Sequence, residues 1–428
     1  MAKPDDLRIA FIVLLVIICS SAFVQIAFNI TTVDNKYEEG RIVTIKLDSG
    51  QYKTQEEIDA KIRQIDQLGA NMIALTVGGE LTYYPSEVSH GQIPISDFTY
   101  DFDLLEYFIQ KGKEKGLKVY AVVDLWIDYS SRTGNEAYSE WWVVDRHGNP
   151  VTSRISWVKY WFSPAIPEVR EFYLSIIEEM LAKGVDGIML DFVRYLDQPS
   201  YDSYSLEQFT ETYGISPLDF HESDTQMWAK WETFMTETIT NFVKEASKIV
   251  HSKFKYIGCY VFSRPNIHGT DVNGIFQGWN TWDNLVDFFN VMEYGNLKTF
   301  QETVTYLRNI DLRSPTYLPI VPEDINIMKQ KLESVRLSAD GVSIYNFESL
   351  SGNSYQFLKE KFESKVLLPH TRLVQVLKIG ALLNIVLICF VTIYPLYKKT
   401  PIIKIAMNLF ILILPIIGLL AFAYLYFL

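Results

Sequence analysis

Residues 167–191, PEVREFYLSIIEEMLAKGVDGIMLD, read as one helix followed by one strand. Pro167 suits a first helical turn, where its missing N–H has no partner to lose. The helix runs through Lys183 and Gly184 stops it; glycine is the usual residue past a helix C-terminus. Asp186–Asp191 (DGIMLD) then forms a strand ending on a carboxylate. A helix leading directly into a short apolar strand is half of a parallel βα repeat.

Working outward, the same punctuation recurs from residue 41 to 350. Ile42–Leu47 is the first expected strand, followed by a helix opened by Thr54-Gln-Glu-Glu57 in capping-box spacing. Ile58, Ile62, Ile65 and Leu68 mark that helix's apolar face, and Gly69 ends it. Met72–Val77, a helix Phe102–Lys115, and Leu117–Asp124 follow. Beyond Asp191 a long helix near Thr225–Val250 leads to strand Tyr256–Phe262, and then to strand Val286–Glu293. A helix near Phe300–Ile310, strand Tyr317–Val321, helix Ile325–Leu337 and strand Gly341–Asn346 complete the series. Eight strands alternating with helices predict an α/β fold, a (β/α)8 TIM barrel. A doubly wound open sheet would also alternate, but no GxGxxG or phosphate-loop glycine pattern follows any strand. The longest insertions, 78–100 and 125–165, come after the second and third strands, on the barrel face where active sites form.

Asp48, Glu80, Asp124, Asp191, Glu293 and Glu323 stand at strand ends, with Glu348 just beyond the eighth. In a barrel they converge on one rim. Paired carboxylates there meet the requirement of glycoside hydrolysis, in which one acid protonates the leaving oxygen while the other attacks or activates water. Asp191 is the expected nucleophile or charge stabiliser, with Arg194 near enough in sequence to favour its ionised form. Glu293, among Phe288, Phe289 and Tyr294, is the expected general acid, since an apolar setting raises a carboxyl pKa. Asp124 is the reserve catalytic carboxylate. Aromatic rings stack on the apolar faces of sugars, which makes Tyr84, Trp126, Trp161 and Tyr195 candidate substrate contacts, alongside Glu80, Arg194, Glu323 and Glu348. The alternative for each aromatic is packing of the insertions onto the barrel.

Two flanking regions differ from this body. Residues 9–28 carry no charge over a length that crosses ~30 Å of hydrocarbon. They read as a retained anchor, or as a signal peptide cleaved near Ser20-Ser21-Ala22. Ile379–Tyr397 and Ile405–Leu428 are two further apolar runs joined by a loop holding Lys398, Lys399 and Lys404. Three transmembrane helices in the lipid bilayer follow, with the N-terminus and the basic loop cytoplasmic and the body outside. The expected organisation is therefore 1–30 anchor, 31–365 extracytoplasmic barrel, and 366–428 a pair of spans, in the cell membrane.

The whole chain carries −12; with net zero in 1–30 and +5 in 366–428, the middle carries −17. A body that acidic excludes nucleic acid as a primary partner. Three cysteines provide neither a disulfide framework nor a zinc spacing, and the six histidines form no HxH or HExxH pair. No metal and no cofactor is expected, and no protein partner is indicated.

The stretches SEWWVVDRHGNPV (139–151) and WFSPAIPEVREFYLSIIEEMLAKGVDGIMLDFVRY (161–195) resemble glycoside-hydrolase-like barrels of bacterial and archaeal envelope proteins. Further blocks line up in order: LGANMIALTV (68–77), FDLLEYFIQKGKEKGLKVYAVV (102–123), VDFFNVMEYG (286–295) and ADGVSIYNFESL (339–350). The resemblance implies a barrel over 41–350 and a carbohydrate substrate. Relatives often carry a second acid right after the strand-four Asp, where this chain has Phe192, and Pro-Gln-x-Tyr at strand six, where it has Met292-Glu293-Tyr294. In more distant retaining barrels the nucleophile sits on strand four and the acid on strand six, the arrangement Asp191 and Glu293 would match. Three readings stay open: an anchored glycosidase acting on a surface or secreted polysaccharide, a catalytically silent barrel that binds glycan or scaffolds envelope proteins, and another hydrolase such as a deacetylase.

Overall fold

A computed structural model describes residues 41–45, 52–92, 101–129, 138–153, 155, 157–195, 198–263, 275–310, 312–335, 340–345 and 347–363. The expected apolar spans and Asp48 lie outside the described residues, and among those residues no helix is long and apolar enough to cross a membrane. Residues Gly40–Lys365 form one compact unit.

Eight parallel strands build it: β1 Arg41–Ile45, β2 Met72–Gly78, β3 Lys118–Asp124, β4 Gly187–Asp191, β5 Tyr256–Phe262, β6 Phe288–Met292, β7 Thr316–Ile320 and β8 Gly341–Ile344. Each pairs with the next around the ring, and β1 pairs with both β2 and β8, which closes the sheet into a barrel. Every strand expected from the sequence is present, with ends displaced by a residue or two. The helices are α1 Gln55–Gln67, α2 Leu104–Glu114, α3 Pro167–Ala182, α4 Ser203–Tyr213, α5 Thr225–Ser252, α6 Leu297–Asn309, α7 Ile325–Val335 and α8 Gly352–Glu363. Neither α4 nor α8 is among the sequence expectations.

Local chemistry sets the helix starts. Glu57 N–H donates to Thr54 Oγ1 at 3.2 Å while Thr54 N–H donates to Glu57 Oε2 at 3.2 Å, so the capping box forms as its spacing predicts. Ile58, Ile62 and Ile65 are the buried stripe of α1. Pro167 opens α3, whose Val169, Tyr173, Ile176 and Ile177 pack inward.

Inside the barrel, large rings face small residues. Phe288 stands edge-on to Tyr120 and Tyr317, with centroids 5.6 and 5.4 Å away. A Cβ on Gly187 would lie 2.3 Å from the Tyr120 ring, and one on Gly258 would lie 2.5 Å from Phe288. Those glycines make room for a packed plug in the lower barrel. The two ends of the insertion after β3 are joined by an antiparallel pairing of Ile127–Asp128 with Tyr160–Trp161, and Leu125 N–H donates to Asp191 O at the end of β4.

Candidate functional site

Above the plug, a cavity of about 260 Å³ opens at the C-terminal face. Its wall alternates along the strands, because only every second residue of a strand points inward. Thr76 comes from β2, Asp191 from β4, Tyr260 and Phe262 from β5, and Met292 from β6. Phe192, Arg194, Gln277, Tyr294 and Tyr345 line its upper part.

Asp191 is the carboxylate of this wall, 8% exposed. The next residue, Phe192, takes the left-handed conformation (φ 56°), and its N–H donates to Asp191 Oδ1 at 2.8 Å. Such a backbone is costly for a bulky residue. Here it turns the phenyl ring into the cavity and against Trp161, 5.5 Å away. Arg194 lies over the faces of Trp161 and Phe262 at 5.2 and 5.5 Å, and its Nη1 donates to Tyr195 O at 3.0 Å. A guanidinium between two aromatic faces is fixed in direction. Gln277 braces the wall: its Oε1 accepts from Phe262 N–H at 2.8 Å, and its Nε2 donates toward Val193 O and Tyr260 O. Tyr294 stacks on Tyr345 at 4.5 Å and leaves 41% of its surface at the mouth. Burial, helped by Tyr260 and Asp191, pushes its phenol above the usual tyrosine range. Thr76 is 6% exposed and its hydroxyl has no hydrogen-bond partner among the described residues. A buried polar group left unpaired is costly unless a ligand or water meets it.

Asp124 is the register neighbour of Asp191 on β3 and is buried. Tyr129 Oη donates to its Oδ2 at 3.1 Å. It stands beside the cavity wall without lining it.

The other expected site residues are distributed elsewhere. Glu293 does not line the cavity. Its Oε1 accepts from Gly295 N–H at 2.9 Å and from Thr299 Oγ1 at 3.2 Å, and its Oε2 accepts from Thr303 Oγ1 at 2.8 Å. The expected pairing of Asp191 with Glu293 across one cleft is therefore not what the structure holds. Met292 points into the cavity, so the residue after it faces outward, toward α6. Glu80 lies in the turn just after β2, where Tyr129 N–H donates to its Oε2 at 2.7 Å and His90 Nδ1 is 3.7 Å from Oε1. Tyr84 donates to Glu179 Oε2 on α3 at 3.0 Å, and burial together with that charge raises its phenol pKa. Trp126 is fully buried between Tyr173 and Phe242, at 5.0 and 4.6 Å, and Tyr195 is fully buried against Phe276. Both are packing residues, against the expectation of sugar contact. Trp161 is buried behind Arg194 and supports it. Glu323 Oε1 pairs with buried Lys331 at 2.6 Å, and Glu348 Oε1 accepts from Tyr52 Oη at 2.7 Å. Of the expected residues, Asp191 and Arg194 line the cavity. Thr76, Tyr260, Phe262, Gln277, Tyr294 and Tyr345 were not anticipated. Counting by twos back along β5 from Phe262 finds Tyr260 and Gly258. Among the described residues, no group of His, Cys, Asp or Glu is placed to hold a metal ion.

Residues 39–309 match the family model described as glycosyl hydrolase-like 10. The chain belongs to that family. The fold is shared with solved structures of low identity. The glycoside hydrolase domain of PgaB (BpsB) from Bordetella bronchiseptica superposes with a TM-score of 0.57 at 17% identity, over 76% of this chain and 97% of that one. α-L-Fucosidase isoenzyme 2 from Paenibacillus thiaminolyticus gives 0.54 at 15% identity, over 76% of this chain and 49% of that one. The catalytic domain of β-amylase from Paenibacillus polymyxa gives 0.51 at 12% identity, over 76% and 98%. No curated protein matches. A glycosyl hydrolase-like barrel makes a carbohydrate-related role the natural frame for the Asp191 cavity.

Proposed function

We propose that this protein is a membrane-anchored glycoside hydrolase whose barrel, outside the cell, acts on a cell-surface or extracellular glycan at the Asp191 cavity. One observation carries the reading: a nearly buried carboxylate stands on the wall of a cavity ringed by Phe192, Tyr260, Phe262, Tyr294 and Tyr345. Aromatic rings bind the apolar face of a sugar, and a carboxylate beneath them meets the charge that develops at the anomeric carbon. Asp191 serves as nucleophile or charge stabiliser. Asp124, its register neighbour on the adjacent strand, is the partner carboxylate. Tyr129 orients it. Glu293 is not assigned the acid's role.

Membrane attachment rests on the apolar runs 9–28, 379–397 and 405–428, and the orientation on the lysines of the 398–404 loop. An impermeant thiol reagent on intact cells should label a cysteine introduced at an exposed barrel position such as Leu218. Labelling only after lysis would reverse the orientation. For the activity, the full chain in membranes is incubated with surface polysaccharide and new reducing ends are counted. The hydrolase reading requires them to appear with the parent and to vanish with Asp191→Asn.

A second reading, glycan binding without cleavage, is favoured by the way Asp124 and Glu293 both receive hydrogen bonds from the protein itself. Retention of the polysaccharide with no new reducing ends would establish it.

A further inference from the structure

Four non-glycine residues among those described hold a left-handed backbone: Trp126, Phe192, Phe254 and Phe276. For a side chain with a Cβ this conformation costs roughly 1–2 kcal/mol, which the surroundings must offset. Trp126 and Phe276 are buried, and Phe192 packs on Trp161 in the cavity. Phe254 is 93% exposed. Backbone bonds hold its turn, with Lys255 N–H donating to Val250 O at 3.2 Å, but the exposed ring adds no packing to offset the cost.

The position is the one just past a helix. α5 ends at Ser252, Lys253 follows, and Phe254 N–H donates to His251 O at 3.0 Å. At the matching turns after α1, α2 and α3 stand Gly69, Gly116 and Gly184, with φ of 79°, 70° and 95°. Those are the residues that backbone favours. α5 alone of these helices ends on an aromatic ring, and that ring is in solvent. Lys253 and Lys255 flank it, and neither side chain has a hydrogen bond or ion pair among the described residues.

The turn lies on the N-terminal rim of the barrel. Tyr256, two residues on, pairs with Gly187, the first residue of β4. Arg41, where the described chain begins, is on the same rim, since Ile42 pairs with Met72, the first residue of β2. The end of the barrel returns there as well. Tyr355, in the first turn of α8, donates to Gln64 O in the last turn of α1, just before the chain enters β2. Thus the start of the barrel lies at the rim that carries Phe254, and the first turn of α8 reaches the end of α1 beside it, while the Asp191 cavity opens at the opposite face.

We propose that Lys253-Phe254-Lys255 is a lipid-contact tip that seats the barrel's N-terminal rim on an anionic bilayer surface. An exposed aromatic ring enters the headgroup region, and the flanking lysines meet lipid phosphates. The body as a whole is acidic, so a basic, apolar tip is drawn to a surface that repels the net charge behind it. The inference rests on the membrane-anchored reading of the flanking apolar runs.

The test uses the full chain in nanodiscs of phosphatidylethanolamine and phosphatidylglycerol, with Cys19 and Cys389 replaced by serine. A spin label at Ser252→Cys, beside the ring, is compared with one at Leu218→Cys, on the side of the cavity. Collisions with oxygen, which concentrates in lipid, should dominate at 252, and collisions with a water-soluble nickel chelate should dominate at 218. Phe254→Ser in the same background should shift the 252 label to chelate-dominated relaxation. If 252 behaves like 218, is shielded from both reagents as in a protein contact, or ignores Phe254→Ser, the proposal is wrong. Carbonate extraction tests the anchor separately. A chain released from membranes by carbonate sinks the anchored reading, whereas a retained chain with an aqueous 252 label sinks only the lipid tip.

Discussion

The ends of β4 and β6 carry carboxylates that look alike in sequence and behave differently in the fold. Asp191 is the last residue of β4, in the inward phase of its strand, and it meets the cavity. Glu293 follows the last residue of β6, one step out of phase, and its carboxylate is bound by Gly295 before α6 and by Thr299 and Thr303 within it. One position offers an acid to a ligand, and the other uses an acid to fasten a helix to a strand. A strand-end carboxylate is thus a site candidate only when its phase matches that of the barrel lining.

The largest effect expected from this contrast is on turnover. Asp191→Asn should lower hydrolysis of the true glycan by at least ~10³-fold, the scale seen when a nucleophile or principal electrostatic stabiliser is lost. Its unfolding midpoint should stay near that of the parent. Glu293→Gln should do the reverse, leaving turnover within about threefold while destabilising the fold. Replacing a charged acceptor of three hydrogen bonds in a buried setting costs about 1–3 kcal/mol, readable by urea unfolding. A Glu293→Gln variant that is stable but inactive would break the contrast.

The plug beneath both strands yields a pH prediction. Burial, and then the charge of Asp340, raise the Tyr317 phenol pKa above its ordinary value of 10.0. Above pH ~10 the unfolded chain releases that proton and the folded chain keeps it. Stability is therefore intact below pH ~10 and falls above it, by at most about 1.4 kcal/mol per pH unit for this group. Denaturation at pH 9, 10 and 11 should show the decline, and Tyr317→Phe should make it shallower. If the slope is unchanged, Tyr317 is not what couples the plug to pH.

The smallest effect concerns the far rim. Phe254→Gly relieves a left-handed backbone without removing a packed ring, and should raise stability by about 1 kcal/mol. That corresponds to an increase of about 2–4 °C in Tm, readable by calorimetry in detergent. Destabilisation would mean that the ring packs on the protein after all.

How far the sequence is legible follows from the same contrast. The barrel is written in local signals: glycines past α1, α2 and α3, the Thr54 capping box, Pro167, and short β-branched runs between them. Each acts within a few residues, so none depends on the tertiary fold. α4 is bounded by equally local signals, an Asp202 N-cap and a left-handed Gly214, yet is not among the sequence expectations, while α8 becomes evident only in the structure. The site depends on phase and on distant packing. Trp126 comes two residues after the end of β3, yet in a left-handed turn its ring sits between Tyr173 and Phe242. Glu80 and Glu348 are at rim positions, yet Tyr129 and Tyr52 hold their carboxylates. Tyr260 and Thr76 line the cavity with no motif to mark them, and only the inward count along each strand picks them out.

The most direct test of the Asp191 assignment is a crystal structure of the Asp191→Asn variant bound to an oligosaccharide released from the surface glycan. The account predicts a sugar ring in the cavity, against Tyr294 and Tyr345, with its anomeric carbon facing residue 191 and with Glu293 still bound to Thr299 and Thr303. A sugar seated against Glu293, or bound outside the cavity altogether, would contradict it.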